Sequence, residues 1–240
     1  MTVRLILVRH GQASAFTGDY DHLSELGREQ SRRVGPSLAR WAREPSHVLV
    51  GPRRRHRHTY EEALRTAQAD GASWPDPEPT EALDEHHGIQ LVHHLGAELG
   101  AREDEIGELA RAAFSAVSAG APSDPTKHWM RMFRVLMLAW SRGEVNHDEV
   151  EPWIDFRARV RGVLEAAAER SGTVLAFTSG GAIGACVGSV LGLDEARTLD
   201  LCWAVRNASL TEIHIGTRGP TLMGFNAIGH LDRDDLITSV

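Results

Sequence analysis

The sequence predicts an α/β fold in which helices cover both faces of a mostly parallel sheet. Short apolar runs, typical of strands buried on both faces, recur at Leu5–Val8, Val48–Val50 and Thr173–Phe177. Segments with helical periodicity separate these runs. Strands that alternate with helices in this way are typical of a three-layer α/β/α sandwich, and we expect that architecture here.

Length and composition limit the possible classes of protein. The 240 residues suffice for one large domain, or for one domain that carries an insertion. The hydrophobic share of 42% and the charged share of 25% are those of a soluble globular protein. A net charge of −7 disfavours nucleic acid as a partner, because phosphate backbones are bound by basic surfaces. No run approaches the roughly 18 apolar residues of a membrane span, so no membrane association is expected.

The positions of the cysteines and of the single lysine limit the kinds of site and the compartment that the sequence predicts. Cys186 and Cys202 form no Cys-x-x-Cys pair and lie in apolar stretches, which favours buried, reduced thiols. The first strand begins at once and leaves no room for a signal peptide, so we expect a cytoplasmic protein. The single lysine, Lys127, follows no glycine-rich loop, which disfavours a phosphate-binding loop of the Gly-Lys-Ser/Thr type.

Between the first and third strands, two helices are predicted. Ser24 is the expected cap of the first, and a loose apolar stripe follows it. The second helix follows the second strand and reaches about Ala69. Three prolines, Pro75, Pro77 and Pro79, then predict an extended passage.

From about residue 89 to residue 149 the pattern is helical, without a convincing strand. Helices are predicted at Glu98–Val117 and Lys127–Trp140, separated by a turn rich in Gly, Pro and Ser at residues 120–125. We interpret this segment as a helical insertion that caps the site of a single domain spanning residues 1–240. The remaining predicted elements are helices at Pro152–Arg170 and from Gly180 to about Leu191, and closing strands at Ser209–Ile215 and Thr221–Phe225.

The candidate site begins where the first strand ends, with Arg9, His10 and Gly11. Open α/β sheets bind ligands at the carboxyl ends of their parallel strands. An imidazole there can act as a nucleophile, an arginine fork can hold phosphate oxygens, and a glycine allows a sharp turn and close approach of a ligand. Arg55 follows the second strand in the same way, so Arg9 and Arg55 are expected to converge on one phosphate group.

Other charged residues near these strand ends have different expected roles. Glu85 follows the extended passage and is the candidate proton donor for a leaving oxygen. Three further arginines in the basic run at residues 53–58 are interpreted as a solvated helix face: Arg53, Arg54 and Arg57.

A set of motifs in this order resembles the histidine phosphatase superfamily, which includes the cofactor-dependent phosphoglycerate mutases. The motifs are Arg9-His10-Gly11, Leu23-Ser24-x-x-Gly27-x-x-Gln30, Pro52-x-x-Arg55-x-x-x-Thr59, Leu83-x-Glu85-x-x-Gly88, Phe156-x-x-Arg159-Val160, Asn207-Ala208-Ser209 and Gly229-His230-Leu231. The resemblance implies that His10 forms a phosphohistidine and that Glu85 acts first as acid and then as base for water. It implies phosphate binding by Arg9 and Arg55, and no metal and no organic cofactor. We predict Gly11 and Gln12 as further phosphate-binding residues.

Two departures from the family pattern matter. Where the family usually has a second histidine, this chain has Ser179, followed by Gly180 at the start of a predicted helix. The hydroxyl and the free helix amides are expected to contact phosphate, although losing a charged donor would cost about 10²–10³ in rate. We therefore favour an active phosphatase over a weakly active or non-catalytic phospholigand-binding protein. Gln12-Ala13 and an insertion poor in lysine favour hydrolysis of a small phosphorylated substrate over mutase chemistry.

Two other classes are kept as alternatives. Ser179 at a strand–helix junction suggests a serine hydrolase, with Asp194 and His214 or His230 following in order, but Phe177 occupies the first glycine position of the Gly-x-Ser-x-Gly elbow. A histidine-rich stretch suggests a metal site without a recognised ligand spacing, at Asp84, Glu85, His86, His87, His93 and His94. The substrate stays open, and so does the oligomeric state, a homo-oligomer included.

Overall fold

The computed structural model describes residues 2–13, 21–118 and 125–239. The chain divides into two compact units, Met1–Glu85 with Arg157–Val240, and His86–Phe156. The first unit contains the sheet, and the described part of the second is helical. That the second unit caps the site stays a prediction.

The sheet has six strands in the order β3-β2-β4-β1-β5-β6. β4 pairs in parallel with both β1 and β2, and β2 pairs in parallel with β3, whereas β5 and β6 are antiparallel additions at one edge. The predicted α/β fold with a mostly parallel sheet is therefore confirmed. The strands are β1 Val3–Arg9, β2 His47–Val50, β3 Glu78–Pro79, β4 Thr173–Thr178, β5 Leu210–Gly216 and β6 Gly219–Ala227.

Helices flank the sheet on both faces. Ile6 and Val8 of β1 are buried in one cluster with Val34 and Leu38 of the first helix, whereas Leu5 and Leu7 point to the opposite face and are fully buried as well. In this first unit the helices are α1 Glu25–Trp41, α2 Arg54–Ala69, α7 Gly180–Leu191, α8 Glu195–Ala204 and the greater part of α6 Trp153–Ala168. Two short 3-10 turns lie at Glu81–Leu83 and Asp234–Leu236.

The helical segment differs from its prediction. Its helices are α3 Gly88–Ala101, α4 Glu105–Ser118 and α5 Pro125–Ser141, so the single helix predicted at Glu98–Val117 is wrong. A new helix begins there because Asp104 caps α4, its Oδ1 accepting from the Gly107 amide at 3.0 Å. Most of the predicted turn at residues 120–125 lies outside the described residues. No helix in the described ranges has the length and apolar character needed to cross a bilayer.

α8 is a second difference, because no helix was predicted between Leu191 and the closing strands. Asp194 caps it, with Oδ1 accepting from the Arg197 amide at 2.8 Å. The Cys202 backbone of α8 approaches α7 so closely that a Cβ on Gly184 would lie 2.5 Å from the Cys202 amide nitrogen. Close packing on α7 therefore stabilises α8, a short helix whose sequence has only a weak helical pattern of apolar residues.

The start of α1 packs directly against the loop that follows β1. Ser24 caps α1 as predicted, accepting from the Gly27 amide at 3.0 Å. A Cβ on Gly27 would lie 2.1 Å from the Gln12 carbonyl oxygen, and one on Gly11 would lie 2.2 Å from the Gly27 carbonyl oxygen. A side chain at either glycine would push α1 away from the loop that carries the candidate site.

We expect Gly27→Ala to lower the free energy of unfolding by about 1–3 kcal/mol, because backbone must move to admit the methyl group. Urea denaturation measures this change. Gly162→Ala is the matched control, since an added Cβ on this α6 glycine meets no atom within 4 Å. The control should gain about 0.5–1 kcal/mol from helix propensity, and equal stability of the two variants would contradict the packing described here.

Candidate active site

His10 follows β1 directly, and its backbone is held from both sides. Its amide donates to the Thr178 carbonyl at 2.9 Å, and its carbonyl accepts from the Ala208 amide at 3.1 Å and from Asn207 Nδ2 at 3.3 Å. Ala208 has a φ of 56°, which is uncommon for a residue with a side chain. That strained backbone brings the Ala208 amide to His10 and fixes the place of the candidate nucleophile.

The His10 ring presents a lone pair at Nε2. Nδ1 lies 2.7 Å from the Gly11 carbonyl oxygen, which can only accept, so Nδ1 carries the proton. Arg55 Nε then donates to Nε2 at 3.2 Å. Burial, together with the charges of Arg55 and Arg9, holds the pKa of His10 well below its usual value. The imidazole is therefore neutral, as a nucleophile requires.

The two predicted phosphate-binding arginines are both buried, Arg9 with 3% and Arg55 with 5% of its surface exposed. Arg9 Nη1 donates to the Val205 carbonyl oxygen, and Gly180 lies against Arg9, because a Cβ there would be 3.4 Å from Arg9 Nε. Both arginines act electrostatically on His10. The structure thus brings Arg9, His10, Arg55 and Gly180 together, as the sequence predicts.

Asp21 pairs with Arg55 and was not predicted from the sequence. Its carboxylate accepts from Arg55 Nη1 and from the Arg54 amide, both at 2.9 Å. The carboxylate balances the charge of Arg55 and also sits at the N-terminus of α2, where an anion is stabilised. A phosphate group that binds Arg55 through this nitrogen would compete with Asp21.

Ser179 ends β4 as the N-cap of α7, and its side chain is fully buried. Its Oγ lies 3.4 Å from Arg55 Nη2 and 2.6 Å from His56 Nε2. The ring centroids of His56 and His10 are 5.8 Å apart. Ser179 therefore adjoins Arg55, one of the two predicted phosphate-binding arginines, and a second histidine, His56, lies beside it.

Sequence analysis missed His56, which lies inside the basic run at residues 53–58. Burial, and then the charge of Arg55, hold the pKa of His56 well below its usual value, so this ring is neutral too. Helical spacing in the sequence could have identified His56 as buried, because it shares the buried face of α2 with Tyr60, Ala63 and Ala67.

Glu85 lies at the start of α7. Its Oε2 accepts from the Gly181 amide at 3.1 Å, which holds the carboxylate at a helix N-terminus. The preceding Asp84 pairs with both nitrogens of the Arg53 fork, at 2.5 and 2.8 Å. The interpretation of Arg53 as part of a solvated face is therefore wrong, because it anchors the segment that carries Glu85.

Gly11 and Gln12 have protein partners in this structure. The Gly11 amide donates to Thr59 Oγ1 at 3.0 Å, and the Gln12 amide donates to Gln30 Oε1 at 2.7 Å. Gln12 Oε1 accepts from Ser24 Oγ at 2.9 Å. These contacts shape the loop after β1, and direct phosphate binding by the two residues stays a prediction.

Comparison with known families decides the identity of the fold. The model of the histidine phosphatase superfamily (branch 1) matches residues 5–105 and 102–228. The chain belongs to this superfamily. A phosphatase and a phosphoglycerate mutase are found among the solved structures that share its fold.

Several solved structures share the fold. One titled mycobacterial hydrolase 1 has a TM-score of 0.60 at 23% identity, covering 95% of this chain and 99% of its own. A mycobacterial glucosyl-3-phosphoglycerate phosphatase has a TM-score of 0.59 at 22% identity, with coverages of 95% and 100%. A phosphoglycerate mutase from Bacillus anthracis str. Sterne has a TM-score of 0.61 at 19% identity, with coverages of 96% and 95%. No curated protein matches the sequence.

The two alternative classes of site find little support in the described residues of this superfamily member. Among those residues, no three His, Cys, Asp or Glu side chains come together as a metal site. The histidines of the serine hydrolase alternative have partners other than Ser179: His214 Nε2 bonds to Glu212 at 2.7 Å, and His230 Nε2 to the Ala208 carbonyl at 2.8 Å. The histidine beside Ser179 is instead His56.

The lowered pKa values of the two buried histidines predict a loss of stability in acid. Below about pH 6.5 the unfolded chain protonates histidines that stay neutral when folded, so it binds more protons and the free energy of unfolding falls with pH. Each such histidine contributes at most about 1.4 kcal/mol per pH unit between its folded and unfolded pKa. Above that window the contribution is fully present.

We expect His56→Gln to reduce the dependence of the free energy of unfolding on pH by the contribution of one histidine. Urea denaturation at pH values between about 5 and 7 measures this dependence. Gly162→Ala changes no titratable group and is the control, which should keep the wild-type slope. Identical slopes for His56→Gln and wild type would show that His56 is not held neutral by the fold.

Proposed function

We propose that this protein is a phosphomonoester hydrolase that works through a phosphohistidine on His10. The observation that carries the proposal is the lone pair on His10 Nε2, facing Arg55 Nε at 3.2 Å in a buried, cationic site. A neutral imidazole beside fixed guanidinium groups suits in-line attack on a phosphoryl group whose oxygens those groups bind.

In the proposed first step, phosphate oxygens take over the N–H groups of Arg55 and Arg9. The Nε2 lone pair forms a bond to phosphorus while the bond from phosphorus to the ester oxygen breaks. Glu85, in its acid form, donates a proton to the leaving oxygen. In the second step Glu85 takes a proton from water, the resulting hydroxide attacks phosphorus, and the bond to Nε2 breaks. Inorganic phosphate and the starting enzyme result, without a metal or an organic cofactor.

Hydrolysis is favoured over phosphoryl transfer between substrate positions for two reasons. The helical segment is poor in lysine, with Lys127 alone, and Gln12-Ala13 follows the Arg9-His10-Gly11 motif. The proposed partner is a small phosphorylated compound. Two structural neighbours are named for phosphoglycerate compounds, which makes phosphoglycerate esters the first substrates to test.

We expect His10→Ala to abolish turnover on any phosphomonoester that the wild type hydrolyses in a substrate panel. Brief exposure to labelled substrate should leave an acid-labile, base-stable phosphate on the wild type alone, because a phosphoramidate needs the imidazole. The wild-type reaction should survive a chelator. Label retained by His10→Ala would contradict the assignment, whereas phosphate binding without any turnover would favour the non-catalytic alternative.

We expect Arg55→Lys to weaken binding of inorganic phosphate by about tenfold or more, since an ammonium group cannot reproduce the bidentate fork. Isothermal titration calorimetry measures the change. Arg57→Lys is the matched control on the same helix, because Arg57 is exposed and its Nε lies 3.7 Å from Glu61. Equal affinities of the two variants would remove Arg55 from the phosphate site.

A further inference from the structure

The hydroxyl of Ser179 lies between a histidine and an arginine, all three side chains being almost wholly buried. The 2.6 Å separation from His56 Nε2 is that of a strong hydrogen bond, and the 3.4 Å separation from Arg55 Nη2 is that of a weak one. Arg55 in turn reaches His10 through Nε. A continuous line of polar contacts thus runs from His56 through Ser179 and Arg55 to the candidate nucleophile.

The fold makes room for His56 at this place. α2 begins two residues before His56, at Arg54, and the loop between β2 and α2 contains Gly51. A Cβ on Gly51 would lie 2.4 Å from His56 Nδ1, so a side chain there would displace the imidazole. The buried ring is therefore seated against backbone on one side and against Ser179 on the other.

We propose that His56 is a positioning residue of the phosphate site, which holds the Ser179 hydroxyl against Arg55 and so keeps Arg55 directed at His10. The inference rests on the proposed function, because it concerns the arginine that binds the transferred group. The His56 ring lies beside that of His10, with ring centroids 5.8 Å apart, and in this scheme it acts on the phosphate only through Ser179 and Arg55.

The need for such a support follows from the contacts of Arg55. Its fork has an anionic partner on one terminal nitrogen, Asp21 at 2.9 Å, and the Ser179 hydroxyl on the other. Without His56, the hydroxyl rotates about its single torsion, and Arg55 loses one of the contacts that orient it.

A double-mutant cycle on the full-length protein tests the inference, with inorganic phosphate as the ligand and isothermal titration calorimetry as the measurement. His56→Asn places its amide near the position of Nδ1 and cannot reach Ser179, whereas the longer His56→Gln can. We expect His56→Asn and Ser179→Ala each to weaken phosphate binding by about tenfold, and the double variant to be no weaker than about tenfold, because both remove the same hydrogen bond. His56→Gln should stay within about threefold of the wild type.

Controls separate positioning from folding and from catalysis. His214→Asn removes a histidine on β5 that bonds to Glu212, and it should bind phosphate as the wild type does. Urea denaturation confirms that each variant is folded. A folded His56→Asn with wild-type affinity, or a double variant about a hundredfold weaker, would overturn the inference. If the wild type and the variants follow the expected affinities but no ester is hydrolysed, the proposed function fails and the positioning role stands.

Discussion

Two guanidinium groups are buried at the carboxyl end of β1, and the groups around them must accommodate their charge. The guanidinium groups of Arg9 and Arg55 are cations, and burying cations is costly unless neighbours compensate. A carboxylate faces Arg55, a backbone carbonyl faces Arg9, and the imidazole of His10 is kept neutral beside them. Burial and these two cations together keep the pKa of His10 low, so that the proposed nucleophile is in its neutral form.

Ser179 is best understood together with His56. Considered alone, a serine at the end of β4 suggests a phosphate site that has lost a charged donor. In the structure, the space beside this serine is filled by an imidazole that arrives from α2, and Gly51 leaves room for it. The small side chain at position 179 and the large one at position 56 are parts of one packing arrangement, so substitutions at either position act on both.

The features predicted from the sequence are those encoded by neighbouring residues. β1 and the loop after it were predicted because the apolar run and the Arg9-His10-Gly11 motif are contiguous, and Ser24 was identified as a cap from local pattern alone. The contacts of Arg55 with Asp21 and of Ser179 with His56 join residues 34 and 123 positions apart, and no periodicity encodes such pairs. α8 was missed for a related reason, since its stability comes from packing on α7.

The hydrogen bond from His10 Nδ1 to the Gly11 carbonyl selects one of two positional isomers of phosphohistidine. Because Nδ1 is occupied by its proton and Nε2 carries the lone pair, the proposed chemistry yields only the tele isomer, with phosphorus on the ring nitrogen remote from the main chain. The pros isomer is excluded. The selecting group is a backbone oxygen, so this regiochemistry belongs to the turn itself and does not depend on any side chain at position 11.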